Sequence, residues 1–519
     1  MQDAGLVRSP EPTPTSEAPS TSSPQPKSPL PLESKPVPAK PKPTGLGFSL
    51  SSLGGYLPAR SRESSPQVTT NDIPVSPPAS GSRPQSEPFR GSTMPAKHDG
   101  MFAEFFDDAP VTESRLPESI DTVHILRTPP LDLGPAGKIR TLRKQIQEVT
   151  GDGKLTAISP HEEHILFQDS MYLCTHIFGD SKGLKHTNVY LWAGNGVAEP
   201  TIEDVQLFAK NYAKQNQGKL LTIRQGQEPP SFFDALGGIV ITRRGAIPTA
   251  KEFMLCGRRH IGHLAFDEVE FSLKSLCSAF PYLVSTSSGK MYLWKGRGCS
   301  AEELSGARLM GMDLAPAGDF TEVDEGSESQ EFINSFPASA VPTKGPAIPR
   351  SADHWRYKAT SEKYRARLYK IEQAQGPSGW GQALQTPITP KTPNGVTMNV
   401  KEIMPFSQRD LEPESIYVLD AFFEMYIIIG ALSRTQSQAF STALLFAQEY
   451  GILAVSEEDR PFMPVTTVVM EGVPRDMKAV FRHWDDSLIP AAALMRGKLG
   501  RGKSLRIVGL DKAIEATRR

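Results

Sequence analysis

The sequence has few cysteines and no long apolar segment. Its 519 residues include four cysteines, none of them in a C-x-x-C pair, so neither a disulfide framework nor a structural zinc site is supported. No apolar stretch follows Met1, as a secretory signal would require. The most apolar short run, Tyr426–Gly430, is far below the roughly 20 residues that span a bilayer. We therefore expect a soluble, cytoplasmic protein that does not span a membrane.

The sequence also lacks an excess of positive or negative residues. The chain has 57 Lys and Arg against 58 Asp and Glu, a net charge of −1. This balance gives no general attraction for nucleic acid, so we expect no nucleic-acid partner. The sequence contains neither the H-E-x-x-H pattern of zinc proteases nor the G-x-G-x-x-G pattern of dinucleotide-binding enzymes. These absences favour a non-enzymatic binding protein.

Proline is abundant and unevenly distributed, since twenty of the 46 prolines lie in the first 100 residues. Such a segment buries too little apolar area to offset the entropy of ordering it, so residues 1–118 are predicted to be disordered. Met101–Asp108 (MFAEFFDD) interrupts this tail, either as a short helix that folds on a partner or as a nascent helix without a role. Lys35–Pro43 (KPVPAKPKP) has the PxxP spacing of an SH3 ligand.

Order is expected from residue 119 onward. Residues 119–154 are predicted to be a linker with a short amphipathic helix, because Ile139, Leu142, Ile146 and Val149 have helical spacing. A second proline-rich and threonine-rich stretch, at about 373–393, is predicted to be a flexible insertion.

The main pattern is a threefold internal repeat. An apolar run that ends in glycine occurs three times, as YLWAG at Tyr190–Gly194, YLWKG at Tyr292–Gly296 and YIIIG at Tyr426–Gly430. Each run follows another strand-like segment and precedes an amphipathic helix, a further strand and a turn that contains glycine. This order predicts an α+β fold with helices packed on a central sheet in each repeat.

These strands, together with the GQEPPSF turn that begins at Gly226, resemble the gelsolin/villin family. The proline-rich tail and the tripled arrangement are most similar to filamentous-fungal gelsolin-repeat proteins. The resemblance implies three tandem gelsolin-like domains. The predicted repeats are 155–245, 250–340 and 355–490, followed by a C-terminal tail at 491–519.

The resemblance also implies a calcium site, built from an acidic residue before the first hairpin strand and a glutamate on the long helix. Hard oxygen ligands suit calcium, and in the first repeat Asp169 fits the first position while Glu199 or Glu203 fits the second. Glu303 is at the expected helix position in the second repeat, but no carboxylate begins its strand. The third repeat has Ser437 and Gln438 where an acid is needed. Calcium is thus a candidate ligand of the first repeat.

The resemblance implies that the protein binds actin filaments, and that it caps or severs them if two repeats contact actin. The long helix of the first repeat is the candidate actin-binding element, with Leu207, Lys210 and Asn211 on its outer face. A phosphoinositide surface is implied as well, and its candidate residues are Arg243, Arg244, Arg258 and Arg259. The alternative is a gelsolin-like structural module without actin binding, as in vesicle coats.

Overall fold

The computed structural model describes residues 100–118, 120–128, 139–246, 251–315, 318–338, 345–373, 397–486 and 505–518. The tail before residue 100, with its candidate SH3 ligand, lies outside these ranges, and so does nearly all of the predicted insertion at 373–393. The predictions for those segments stay predictions.

The described strands form three mixed sheets. The first has the order β2-β1-β4-β5-β6, the second β12-β11-β10-β8-β9-β7-β3 and the third β14-β13-β15-β16-β17-β18. The strand bounds are β1 Arg140–Val149, β2 Leu155–Ala157, β3 Ile165–Phe167, β4 Met171–Gly179, β5 Lys185–Ala193, β6 Lys219–Arg224, β7 Ile239–Arg243, β8 Phe253–His260, β9 His263–Val269, β10 Pro281–Ser285, β11 Met291–Lys295, β12 Thr321–Asp324, β13 Arg367–Gln373, β14 Met398–Ile403, β15 Ile416–Asp420, β16 Glu424–Ile429, β17 Val465–Glu471 and β18 Arg506–Gly509.

Each sheet has a long helix on one face and a short helix on the other. The long helix joins two parallel neighbouring strands, as the crossover of a parallel pair requires. The apolar face of each long helix belongs to one core cluster, while the short helix packs into another. The fold is therefore α+β. The helices are α1 Thr122–Arg127, α2 Glu199–Gln215, α3 Pro230–Ala235, α4 Ala301–Leu314, α5 Gln330–Asn334, α6 Ser437–Glu457, α7 Arg475–Val480 and α8 Leu510–Thr517.

The repeats also share contacts at equivalent positions. Tyr172, Tyr282 and Tyr417 each accept, through the phenol oxygen, a hydrogen bond from the backbone N–H five residues earlier, at 3.1, 3.1 and 2.9 Å. Trp192 and Trp294 lie directly across the hairpin from Tyr172 and Tyr282, with ring centroids 5.6 Å apart in both pairs. The sequence repeat is thus a structural repeat.

The short amphipathic helix predicted within residues 119–154 is wrong, because residues 140–149 form the strand β1. This strand pairs along its length with β4 and, through Gln147–Val149, with β2. Ile146 and Val149 are buried, whereas Leu142 is exposed. The backbone hydrogen bonds offered by the neighbouring strands outweigh a weak helical periodicity. The first sheet consequently begins before residue 155, the predicted start of the first repeat.

Two segments predicted as tails have structure. In the predicted C-terminal tail, 491–519, β18 pairs with β17 and α8 packs on α6. In the predicted disordered tail, Phe102, Phe105 and Phe106 are buried in the core cluster of α6. We call residues 101–118 and 120–127 the N-terminal strap. Its first part forms turns rather than a helix, and it covers α6 of its own chain.

Helix α6 is buried on nearly all sides. The third sheet packs on one side of it, and the N-terminal strap and α8 pack on others. Among the helices of the described residues, α6 is long and apolar enough to cross a membrane. However, 67% of its most apolar 18-residue segment is buried inside the protein. The same pattern is expected of a core helix. Burial in the fold accounts for its hydrophobicity.

The repeats are not independent of one another. The second sheet includes β3 and β7, which precede residue 245, and one core cluster contains aromatic residues of both the second and third repeats. Arg482, which follows α7, is buried at the junction of all three repeats. Its guanidinium donates to Asp267 at 2.9 Å and to Glu228 at 2.8 Å. This buried charge cluster joins the third repeat to the first two.

Candidate functional site

Helix α2 of the first repeat has a buried face and an exposed face. Ile202, Val205, Ala209 and Ala213 are buried against the first sheet. The exposed face contains Leu207, whose side chain is 67% exposed. Leu207 lies two residues from each of Val205 and Ala209, so it points away from the core that they contact. An apolar residue is thus presented to solvent in the middle of a rigid helix.

Polar side chains surround Leu207. Lys210 and Asn211, the other candidate actin-binding residues, are both exposed one turn further along the helix. Glu203 is exposed one turn before. An apolar centre within a polar rim is the usual composition of a protein–protein contact surface. The structure therefore brings the three candidate actin-binding residues onto one helix face.

Helix α4 of the second repeat has a comparable face that the sequence analysis did not single out. Leu309 and Met312 are 50% and 52% exposed, one turn apart. The opposite side of α4 is buried through Ala307 and Met310. The sequence already indicated this second face. Leu304, Ala307 and Met310 have the spacing of one helix face, and Leu309 and Met312 lie outside it. By contrast, the N-terminal strap and α8 cover α6.

The predicted calcium ligands of the first repeat are Asp169 and either Glu199 or Glu203. Within the described ranges, no group of three or more His, Cys, Asp or Glu side chains is placed to hold a metal ion. Glu199 is paired with Arg224, whose Nη2 lies 2.6 Å from Glu199 Oε1. Asp169 and Glu203 are exposed. The predicted calcium site of the first repeat, Asp169 with Glu199 or Glu203, stays a prediction.

Two of the four candidate phosphoinositide-binding arginines are buried and paired. Arg243 donates to Glu268 at 2.6 Å. Arg258 donates to the backbone carbonyl oxygens of Ala479 and Val480 and lies 3.7 Å from Asp267. Burial prevents their guanidinium groups from contacting a membrane headgroup. The predicted four-arginine surface is therefore reduced to Arg244 and Arg259, which are exposed.

Arg244 lies at a cleft of about 800 Å³ between the second and third repeats. The cleft is lined by charges of both signs. Several of them are already engaged, since Arg475 donates to Asp476 at 2.9 Å and Lys478 to Asp486 at 2.7 Å. Neighbouring carboxylates thus offset part of the positive charge of the cleft.

Two short patterns that match catalytic motifs were missed in the sequence. Gly179–Gly183 (GDSKG) matches G-x-S-x-G, but it forms the loop of the β4–β5 hairpin, whereas a nucleophile elbow joins a strand to a helix. Gly497–Ser504 (GKLGRGKS) matches a phosphate-binding loop and lies outside the described residues. The strand β18, rather than a helix, follows it. Neither pattern has the structural context of its motif.

The four cysteines are free and buried. Burial raises the pKa of the Cys174 thiol to about 12, so this thiol stays protonated at neutral pH. A protonated thiol is a poor nucleophile. Buried in this way, Cys174 serves as a small apolar core residue.

Comparison with known families matches two parts of the chain. Residues 397–478 match the gelsolin repeat, and residues 145–244 match a domain of unknown function (DUF7904). The Drosophila melanogaster protein named gelsolin is 24% identical over 67% of this chain and 40% of its own length. Advillin of Mus musculus is 24% identical over 60% of this chain and 35% of its own length. The chain thus matches less than half the length of these relatives.

A chain in the crystal structure of the Thorarchaeota 2DGel3/rabbit actin complex is 18% identical to this protein. The match covers all of that chain and 38% of this one. The TM-score of this match is 0.16. The gelsolin-repeat match at 397–478 and the sequence relatives confirm the resemblance of this chain to the gelsolin/villin family.

Proposed function

We propose that this protein is a non-catalytic, actin-binding protein of the cytoskeleton, and that its first repeat contacts actin through the exposed face of α2. The observation that carries this proposal is the exposure of Leu207 in the middle of a helix whose other face is fully used by the core. In a helix-in-groove contact, burial of apolar area supplies most of the favourable energy, roughly 25 cal/mol per Å² before entropy costs.

Helix α4 offers a second contact. Leu309 and Met312 give it an exposed apolar pair, so the first and second repeats each present one uncovered long helix. Capping or severing a filament requires two actin-contacting repeats, and we assign that role to α2 and α4. The third repeat takes no part through α6, because the N-terminal strap covers that helix.

The proposal includes neither calcium nor a phosphoinositide. Glu199 is already paired with Arg224, and Arg243 and Arg258 are buried. Actin binding by the helix faces depends on apolar contact and shape, so it needs no bound ion.

Co-sedimentation of the whole chain with purified actin filaments tests the proposal. Leu207→Asp places a charge in the apolar centre of the α2 face and is expected to weaken binding at least tenfold, which corresponds to about 1.4 kcal/mol. The matched control is Leu184→Asp, since Leu184 is a similarly exposed leucine in the β4–β5 hairpin loop. The control is expected to bind like the wild type.

Two results would contradict the proposal. One is the absence of co-sedimentation of the wild-type chain at micromolar concentrations, and the other is equal binding by the wild type and Leu207→Asp. Either result would favour a gelsolin-like structural module without actin binding. Circular dichroism of both variants checks that the substitutions leave the fold unchanged.

A further inference from the structure

Glu303 lies in the first turn of α4, and it is the helix residue at which the family resemblance implies a calcium ligand. Its side chain also closes the capping box of this helix with Ser300. The long helix of the third repeat begins with Ser437 and Gln438, which carry no carboxylate.

Glu303 is buried, and protein groups occupy both of its carboxylate oxygens. Oε2 lies 2.5 Å from the Nζ of Lys358 and accepts the backbone N–H of Ser300 at 3.0 Å. Oε1 accepts the backbone N–H of Arg259 at 3.1 Å. The side chain of Glu303 is 1% exposed and that of Lys358 is 3% exposed. This ion pair is sealed from solvent.

Lys358 comes from the segment that connects the second repeat to the third. Its ammonium lies 4.9 Å from the ring centroid of Phe280 and 5.1 Å from that of Tyr364. Aromatic faces attract a cation, and this attraction is stronger where water is excluded. The ammonium is thus held by one carboxylate and two rings, in a place built for a positive charge.

We propose that Lys358 is an internal counter-cation that takes the place of calcium at Glu303, so that the second repeat is insensitive to calcium. Calcium binds through six to eight oxygen ligands, whereas this site supplies one carboxylate already saturated by nitrogen donors. A calcium ion that displaced Lys358 would leave a buried ammonium without a counter-charge, which is strongly unfavourable.

The first repeat also places a cation beside a carboxylate at the start of its long helix. Arg224 contacts Glu199 and also lies 3.4 Å from the carbonyl oxygens of Gly194 and Val197. The side chain of Glu199 is 67% exposed, so this pair is open to solvent, unlike the pair of Lys358 and Glu303.

Calcium titration of the whole chain by calorimetry tests the proposal without reference to actin. We expect the wild type and Glu303→Gln to give the same calcium response. Loss in Glu303→Gln of a calcium-binding event present in the wild type would overturn the proposal. This comparison needs no variant that removes Lys358.

Lys358→Met gives the complementary test. It removes the ammonium but keeps the apolar stem, and it leaves Glu303 buried without a counter-charge. We expect its thermal midpoint to fall, and to recover partly in the double variant Lys358→Met/Glu303→Gln, which removes the unpaired buried charge. Millimolar calcium should shift the midpoint of neither variant, because one carboxylate is too few oxygens for calcium. A midpoint of Lys358→Met equal to that of the wild type would contradict the role of Lys358 as the counter-cation of Glu303.

Discussion

At the scale of single residues, the glycine that ends each repeat motif is required by a close approach of two backbones. A Cβ atom added at Gly194, Gly296 or Gly430 would lie 2.0, 2.4 or 2.3 Å from a backbone carbonyl oxygen. Backbone atoms cannot move aside as a flexible side chain does. The sequence motif is therefore explained by packing rather than by a turn with positive φ.

Gly194→Ala is predicted to destabilise the first repeat by at least about 2 kcal/mol, because the new methyl group overlaps the carbonyl oxygen of Gln168. Gly179→Ala is the control, since Gly179 lies in the same repeat and an added Cβ there meets no atom within 4 Å. Urea unfolding midpoints measure both variants. Equal midpoints would show that the backbone at Gly194 adapts.

At the scale of elements, the N-terminal strap completes the core of the third repeat. The ring of Phe102 packs edge-on against Phe440 of α6, with centroids 4.8 Å apart. At the other end of the strap, Arg127 donates to Glu457 at 2.9 Å and the Leu126 carbonyl accepts from buried Arg367. The strap is thus anchored along the length of α6.

Phe102→Ala is predicted to destabilise the packing of the strap on α6 by about 3 kcal/mol, because it removes a fully buried ring. Amide hydrogen exchange in α6 should then accelerate by up to about 100-fold, while exchange in α2 should not change. Val111→Ala is the control, since Val111 is an exposed residue of the same strap. Unchanged exchange in α6 after Phe102→Ala would show that α6 is protected without the strap.

At the scale of the whole molecule, buried charges at the junction of the repeats make stability depend on pH. Burial alone raises the pKa of Asp267, but Arg482 and His483 lower it to well below its ordinary value. Burial, followed by the charge of Arg482, lowers the pKa of His260 well below 6.5. His260 therefore stays neutral in the folded protein at pH values where it is protonated in the unfolded chain.

The direction of the pH effect follows from proton binding. Below pH 6.5 the unfolded chain binds a proton at His260 that the folded chain does not bind, so stability falls as the pH decreases. His260→Asn removes this one group. Below pH 6.5 it should reduce the slope of the free energy of unfolding against pH by up to about 1.4 kcal/mol per pH unit. Urea unfolding between pH 8 and pH 5 measures both slopes. Equal slopes would show that His260 binds its proton equally in the folded and the unfolded state.

The resemblance to the gelsolin/villin family and much of the fold were predictable from the sequence. The order of strands and helices in each repeat follows from local periodicity and from glycines, which act within a few residues. The buried face of α2, with Ile202 and Val205, follows from helical spacing in the same way. These features need no knowledge of distant parts of the chain.

Only the tertiary structure decided the features that join distant residues. Lys358 lies 55 residues from Glu303, and Arg482 lies more than 200 residues from Asp267, so neither pairing leaves a local pattern. Residues 140–149 form a strand because β4 supplies their backbone partners. The sequence by itself determined the repeats, and the contacts between them decided which charges are buried and which helix faces remain free, because burial depends on what packs against a residue rather than on its neighbours in the chain.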